Sequence, residues 1–210
     1  MKAYRVHEYG DAAKFIEDEV NKPSAKQGHV VVEVKASSLN PVDHKLLKSD
    51  LGINPALPGI LHMDVAGVIT EVGEGVTAFK TGDEIYGCAG GLQGEAGNIE
   101  GALADFMLAD SNLIALKPKS LSFSESAALP LVTITAWEGL FDRAHIKKED
   151  HVLIHGGAGG VGHIAIQLAR QHGARVATTV SSEDKAKVAR GLGAEDIIFY
   201  RDEKVEDYTQ

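Results

Sequence analysis

Hydrophobic residues follow two different periods along this chain. In HVVVEVKAS (29–37), Val30, Val32, Val34 and Ala36 alternate with His29, Glu33, Lys35 and Ser37, the two-residue period of a half-buried strand. VAGVITEVGEGV (65–76) predicts a second strand closed by a glycine turn, TGDEIYG (81–87) a turn and strand, and LIALKP (113–118) one more. Short strands between glycine turns predict a small antiparallel barrel up to about residue 120. Two helices interrupt or close it. Asn40 and Pro41 are an N-cap and a first-turn proline opening PVDHKLLKSD. Ser122 and Glu125 make a capping-box pattern before SAALPL, and Pro130 ends or kinks that helix.

After about residue 150 the period lengthens. HVLIH (151–155) is a short apolar strand, followed by glycines and a helical run through Ile164, Leu168 and Ala169. RVATTV (175–180) is a second strand, SSEDKAKVARGLGA a capped helix ending in glycine, and EDIIFY (195–200) a third strand. This alternation predicts a parallel sheet with right-handed crossovers. The expected division is 1–122 and 123–210. The glycine-rich stretch at 90–101 reads as a loop, and RDEKVEDYTQ at 201–210 as a polar, frayed end.

Composition narrows the partners more than the fold. A chain of 210 residues with 44% apolar and 24% charged content suits one large or two small globular domains. Formal charge is −9 without a dense Lys/Arg run, so neither nucleic acid nor an anionic membrane is an expected partner. The single cysteine, Cys88, excludes an intrachain disulfide or a multi-cysteine site and favours a reducing compartment. No apolar run approaches the ~20 residues of a membrane span. MKAYRVHEYGDAAKF carries charges where a signal peptide is apolar. These features predict a soluble, cytoplasmic protein.

Gly157-Ala-Gly159-Gly160-Val161-Gly162 fits G-x-G-x-x-G, follows a predicted strand and opens a helix. That context makes it a dinucleotide fingerprint. The first glycine serves the tight turn, the second the approach of the pyrophosphate, the third helix–strand packing. Free N–H groups and the helix dipole favour phosphate. The cofactor's ribose is read about 20 residues on, where a carboxylate would bind the 2′-hydroxyl. Here Ser181, Ser182 and Lys185 follow the strand, hydroxyls and a cation suited to a 2′-phosphate. NADPH is the expected cofactor. Two alternatives stay open: Ser182 as no more than an N-cap, and Glu183 folding back onto the ribose.

A barrel followed by this fingerprint resembles the medium-chain dehydrogenase/reductase superfamily, and within it the zinc-free quinone oxidoreductases. SLNPVDHKLL (38–47), DVAGVITEVGEGV (64–76), GDEIYG, LPLVTITAWEGL (129–140) and HGGAGGVG carry the resemblance. It implies a GroES-like barrel followed by a Rossmann doubly wound sheet, an α/β plus β architecture. It also implies an oxidoreductase passing hydride from NADPH to a quinone or an α,β-unsaturated carbonyl. In zinc-dependent relatives the catalytic metal is held at positions that fall here on Asn40, Met63 and Leu131, which offer no imidazole or thiolate. Their relay hydroxyl falls on Val42. Without zinc the protein mainly orients cofactor and acceptor.

Residue by residue, the resemblance implies Asn40, Asp43 and Asp64 as candidate catalytic groups, with Asn40 and Asp43 near nicotinamide and acceptor. It brings Thr135 to the nicotinamide ring, and Lys185 and Tyr200 to the 2′-phosphate with Ser181 or Ser182. Each has a plainer reading: Asn40 as helix cap, Asp43 as a first-turn acid, Asp64 in a barrel turn, Tyr200 on the surface. His155 and His163 are expected to be structural. A full nucleotide domain has about six strands, and only three are predicted here. The family continues further, usually through a homodimer surface, so a truncated chain is expected. The alternatives are a non-enzymatic nucleotide-binding or interaction module and, more weakly, a zinc alcohol dehydrogenase.

Overall fold

A computed structural model describes residues 1–94, 97–202 and 205. The chain divides into two units, Met1–Leu131 and Val132–Gln210, against the expected boundary at 122/123. The expected frayed end lies mostly outside the described residues.

The first unit holds β1 (Lys2–Val6), β2 (Phe15–Glu19), β3 (His29–Ser37), α1 (Pro41–Lys48), β4 (Gly59–Ile60), β5 (Asp64–Val72) and β6 (Glu84–Cys88). After these come β7 (Leu92–Gly94), β8 (Gly97–Ile99), β9 (Phe106–Asp110), β10 (Ile114–Leu116) and α2 (Phe123–Ala127). A five-stranded antiparallel sheet runs β10-β6-β5-β3-β9, and a three-stranded one β2-β1-β4. In β3, Val30 and Val32 enter one apolar cluster with Val65, Ile69, Ile85 and Met107, as the alternation predicts. Val31 is fully buried as well, and register shifts at Val31/Val32 and Val34/Ala36 interrupt the simple two-residue period. The stretch at 90–101 is more than a loop: β7 and β8 pair antiparallel, Leu92 opposite Ile99.

The capping box at Ser122 forms, with Glu125 accepting from the Ser122 N–H at 2.8 Å. Pro130 does two jobs: α2 stops at Ala127, and α3 (Pro130–Trp137) starts on the proline, where its missing N–H costs nothing. A π-helical segment, Glu138–Arg143, follows α3 directly.

The second unit contains β11 (His151–Ile154), α4 (Gly160–His172), β12 (Arg175–Val180), α5 (Glu183–Leu192) and β13 (Asp196–Phe199). Its strands pair in parallel in the order β11-β12-β13. Central β12 buries Val176, Thr178, Thr179 and Val180. Ile166, Ala169, Ala186 and Ala189 bring α4 and α5 onto the same core. Gly173 and Gly193 end the two helices at φ 95° and 108°, the left-handed cap that glycine adopts without strain. β11 is an edge strand among the described residues, and Leu153 on it is 36% exposed. HVLIH is therefore less enclosed than its apolar run predicts.

Two glycines separate close packing from mere tolerance. A Cβ at Gly162 would lie 2.3 Å from the Gly156 carbonyl oxygen, whereas one at Gly191 meets nothing within 4 Å. Gly162→Ala is expected to lower stability by about 1–3 kcal/mol. Gly191→Ala, inside α5, should raise it by about 0.5–1 kcal/mol. Urea denaturation of both variants measures the contrast.

Candidate functional site

Each unit carries one candidate site. In the second, the loop between β11 and α4 is built by backbone contacts with β12. Gly156 adopts φ 68°, so the left-handed turn falls there, one residue before the glycine expected to make it. Gly157 is required for another reason: a Cβ would meet Thr178 Oγ1 at 2.2 Å. The Gly156 N–H donates to Thr179 Oγ1 at 3.0 Å and the Gly157 N–H to the Thr179 carbonyl at 3.2 Å. Gly159 is the N-cap of α4, and Gly160, Val161 and Gly162 supply the first helical turn, whose N–H groups lack intrahelical acceptors. Gly159 and Gly160 are exposed and Val161 is 37% exposed.

Beside this loop lies a cavity of about 150 Å³ lined by Gly156, Ala158, Gly159, Thr179, Val180, Ser181, Lys185 and Tyr200. Lys185 Nζ donates to Ser181 Oγ at 3.0 Å, holding the cation at the cavity. Ser182 caps α5 instead, accepting from the Lys185 N–H at 3.5 Å. Glu183 turns along the helix to Arg190, which donates to it at 2.7 Å, and among the described residues no carboxylate lines the cavity. These residues fit the adenosine side of a dinucleotide with a 2′-phosphate. Thr135 is exposed on α3 and is not among the cavity's lining residues. His155 is exposed with Nδ1 3.3 Å from Thr179 Oγ1, and the His163 Nδ1–H donates to the Gly159 carbonyl at 3.0 Å.

In the first unit, Asn40, Asp43 and Asp64 come together at the N-terminus of α1. Asp43 Oδ2 accepts from the Asn40 backbone N–H at 2.7 Å. Asn40 and Asp43 form the capping box of α1, and the Asn40 Nδ2 donates to Asp64 Oδ2 at 2.9 Å and Ser38 Oγ at 3.2 Å. Asp64, fully buried, also accepts from the Ser38 hydroxyl at 2.7 Å and from the Leu131 N–H at 2.9 Å. Burial pushes both carboxyls above the ordinary carboxylate range, against the pull of these donors. The His62 N–H lies near enough to favour the Asp43 carboxylate, yet Asp43 Oδ1 has no hydrogen-bond partner of good geometry.

The positions that hold zinc in metal-dependent relatives do not fit a metal. Asn40 presents its amide N–H groups to Asp64 and Ser38. Met63 and Leu131 pack in an apolar cluster with Val6, Leu46 and Leu61. Among the described residues no three His, Cys, Asp or Glu side chains gather at metal-binding distance. Ser37, Ser38, His62, Gly156 and Thr179 complete the two sites beyond the residues the sequence singles out. Only Gly156 carries a sequence signal, as the extra glycine before the fingerprint.

The raised Asp43 pKa sets a pH dependence. A carboxyl whose pKa is higher folded than unfolded stabilises the fold while protonated, and that contribution is lost as pH rises through the folded value. Asp43→Asn keeps an acceptor for Asn40 and removes the ionisation. Its Tm should fall less than that of the unsubstituted chain between about pH 4 and about pH 8, read by thermal melts across that range.

The Alcohol dehydrogenase GroES-like domain family matches residues 26–119, and the Zinc-binding dehydrogenase family residues 160–210. A 2-methylene-furan-3-one reductase of Solanum lycopersicum is 40% identical over 99% of this chain and 54% of its own length. The structure of an alcohol dehydrogenase superfamily protein from Novosphingobium aromaticivorans is 40% identical at a TM-score of 0.86, over 94% of this chain and 58% of that one. The Escherichia coli quinone oxidoreductase complexed with NADPH superposes at 0.83 with 29% identity, over 99% of this chain and 61% of that one. The chain thus spans little more than half the length of the relatives it matches. Its first unit is the GroES-like domain and its second part of a Rossmann-like parallel sheet. By these matches, and by the fold they share, the chain belongs to the medium-chain dehydrogenase/reductase superfamily, in its quinone oxidoreductase-like branch.

Proposed function

We propose that this chain carries the GroES-like domain and the adenosine-binding half of an NADPH-dependent reductase of quinones or α,β-unsaturated carbonyls that works without catalytic zinc. One observation carries the choice of cofactor. Among the described residues, the cavity beside the glycine loop presents Lys185 and Ser181 and no carboxylate, with Glu183 engaged by Arg190. A 2′-phosphate is favoured by a cation with hydroxyl donors and repelled by a carboxylate. The relatives that reduce a methylene-furanone and a quinone, the latter complexed with NADPH, support the same reading.

When bound, NADPH supplies hydride. The first turn of α4 would hold its pyrophosphate against free N–H groups, and Lys185, Ser181 and Tyr200 its 2′-phosphate. The zinc-free part of the reading rests on the donor set. An amide, a thioether and a leucine side chain offer no adequate ligands for Zn²⁺. The acceptor must then be electrophilic on its own account, as quinones and enones are. In the first unit the linked Asn40, Asp43 and Asp64 provide the ordered polar groups, which fits a protein that orients more than it activates.

Fluorescence titration with NADPH and with NADH tests the cofactor assignment. The chain should bind NADPH at least about tenfold more tightly, and Lys185→Ala should erase most of that difference, a loss of about 1.4 kcal/mol or more. Equal affinity for both, or preference for NADH, would overturn it.

A further inference from the structure

Helix α5 opens with Ser182 as its cap and with two acids, Glu183 and Asp184, in its first turn. The helix dipole favours carboxylates there, which accounts for both. The same acids are sequence neighbours of Ser181 and Lys185, which line the cavity beside the glycine loop. Two residues span at most about 7 Å of chain, so the Glu183 backbone lies close to Ser181. A carboxylate in that neighbourhood is the one group that a 2′-phosphate could not tolerate.

Both acids are drawn along the helix by cations. Arg190 Nη1 donates to Glu183 Oε1 at 2.7 Å, and Lys187 Nζ lies 3.6 Å from Asp184 Oδ1. The two pairs are built differently. Lys187 and Asp184 are one turn apart, and the aspartate side chain is 95% exposed. Arg190 stands seven residues beyond Glu183, about two turns and about 10 Å of helix rise. It belongs to the last turn, where the dipole favours a cation. Its guanidinium is nevertheless carried back toward the first, where the dipole opposes one. Side chains on a helix lean toward its N-terminus, and arginine is long enough to cover the distance. The carboxylate at the far end holds it there.

We propose that Arg190 is a positioning residue for cofactor choice. By holding Glu183 along α5 it keeps a carboxylate away from the ribose end of the cavity and leaves Lys185 and Ser181 to a 2′-phosphate. This rests on the NADPH reading above. A released Glu183 acts twice over: it repels a 2′-phosphate and accepts from an unphosphorylated 2′-hydroxyl, the contact by which acidic residues here select NAD. Lys185, met by the uncharged Ser181 hydroxyl, keeps its charge for the ligand. Arg190 thus acts through Glu183 and touches no ligand itself. With its side chains 48% and 56% exposed, the Arg190–Glu183 pair is a modest lock. It biases the choice by a small factor.

NMR titration of the intact chain with 2′,5′-ADP and with 5′-AMP tests this. Both probes need only the adenosine side of a dinucleotide site, and they differ by the 2′-phosphate. In Arg190→Ala the affinity ratio favouring 2′,5′-ADP should fall about two- to fivefold, and Arg190→Lys should keep most of it. Replacing Glu183 as well, in the double variant Glu183→Ala/Arg190→Ala, should restore the ratio. Lys187→Ala takes a cation from the same helix and should leave the ratio unchanged. All three side chains are exposed, so the fold is kept in each variant. An unaltered ratio in Arg190→Ala would overturn the role of Arg190. So would a loss that persists in the double variant, or an equal loss in Lys187→Ala. The preference of the unsubstituted chain is a separate result. If it favours 5′-AMP, the NADPH reading falls, while a further shift in Arg190→Ala that the double variant reverses would still support Arg190.

Discussion

The carboxylate of Asp64 ties together the polar end of the first unit. It is fully buried, and its two oxygens take up three donors from three separate places: Ser38 after β3, Asn40 at the cap of α1, and the Leu131 N–H near the start of α3. A buried carboxylate is tolerated only when such donors replace water. The requirement works in both directions. Each donor is held where it is because a buried charge needs it, so Asp64 fixes the position of Asn40 and, through the Asn40 N–H, that of Asp43. Asn40 thus serves twice, in the capping box of α1 and as a donor to Asp64. Its side-chain N–H groups go to Asp64 and Ser38, and the Asp43 carboxylate accepts from its backbone N–H.

The second unit depends on proximity instead of charge. Gly157 lies against Thr178 and Ile166, and Gly162 against the Gly156 backbone. The glycines thereby bring β11, α4 and β12 within backbone distance. Thr178, donating to the Ile154 carbonyl at 2.6 Å, and Thr179, receiving the Gly156 N–H, fasten the same corner from the side of β12. Loop and cavity are thus one construction. The residues that shape the turn also leave Ser181 and Lys185 at its rim.

Much of this was legible in the sequence because local chemistry and tertiary structure agree there. The β–α–β–α–β run shows its strands, its Ser182 cap and its glycine stops in order, and the parallel sheet follows from them. The first unit is harder to read. FIEDE in β2 is largely exposed, and its pairing with KAYRV joins residues nine to seventeen positions apart, so no local periodicity marks the pair. LPLVTITAW is apolar all round and gives no helical stripe, which hides α3. The fingerprint's position is plain, but the division of labour within it is not. Gly156 takes the turn because packing against Thr178 already constrains Gly157. The left-handed backbone of His62 leaves no trace, since the segments that pack against it, at Gly91 and Gly101, lie far along the chain.

His62 also marks a place where backbone strain and a side-chain contact pull in opposite directions. Glycine is the residue that a left-handed position accepts without strain, so a variant library sorted only for heat resistance would accumulate it there. The gain would look neutral in every structural assay, because the backbone path between Gly91 and Gly101 would be unchanged. What would disappear is the imidazole that hydrogen-bonds Ser37. Position 62 therefore carries a cost in backbone strain that selection on heat resistance alone would remove.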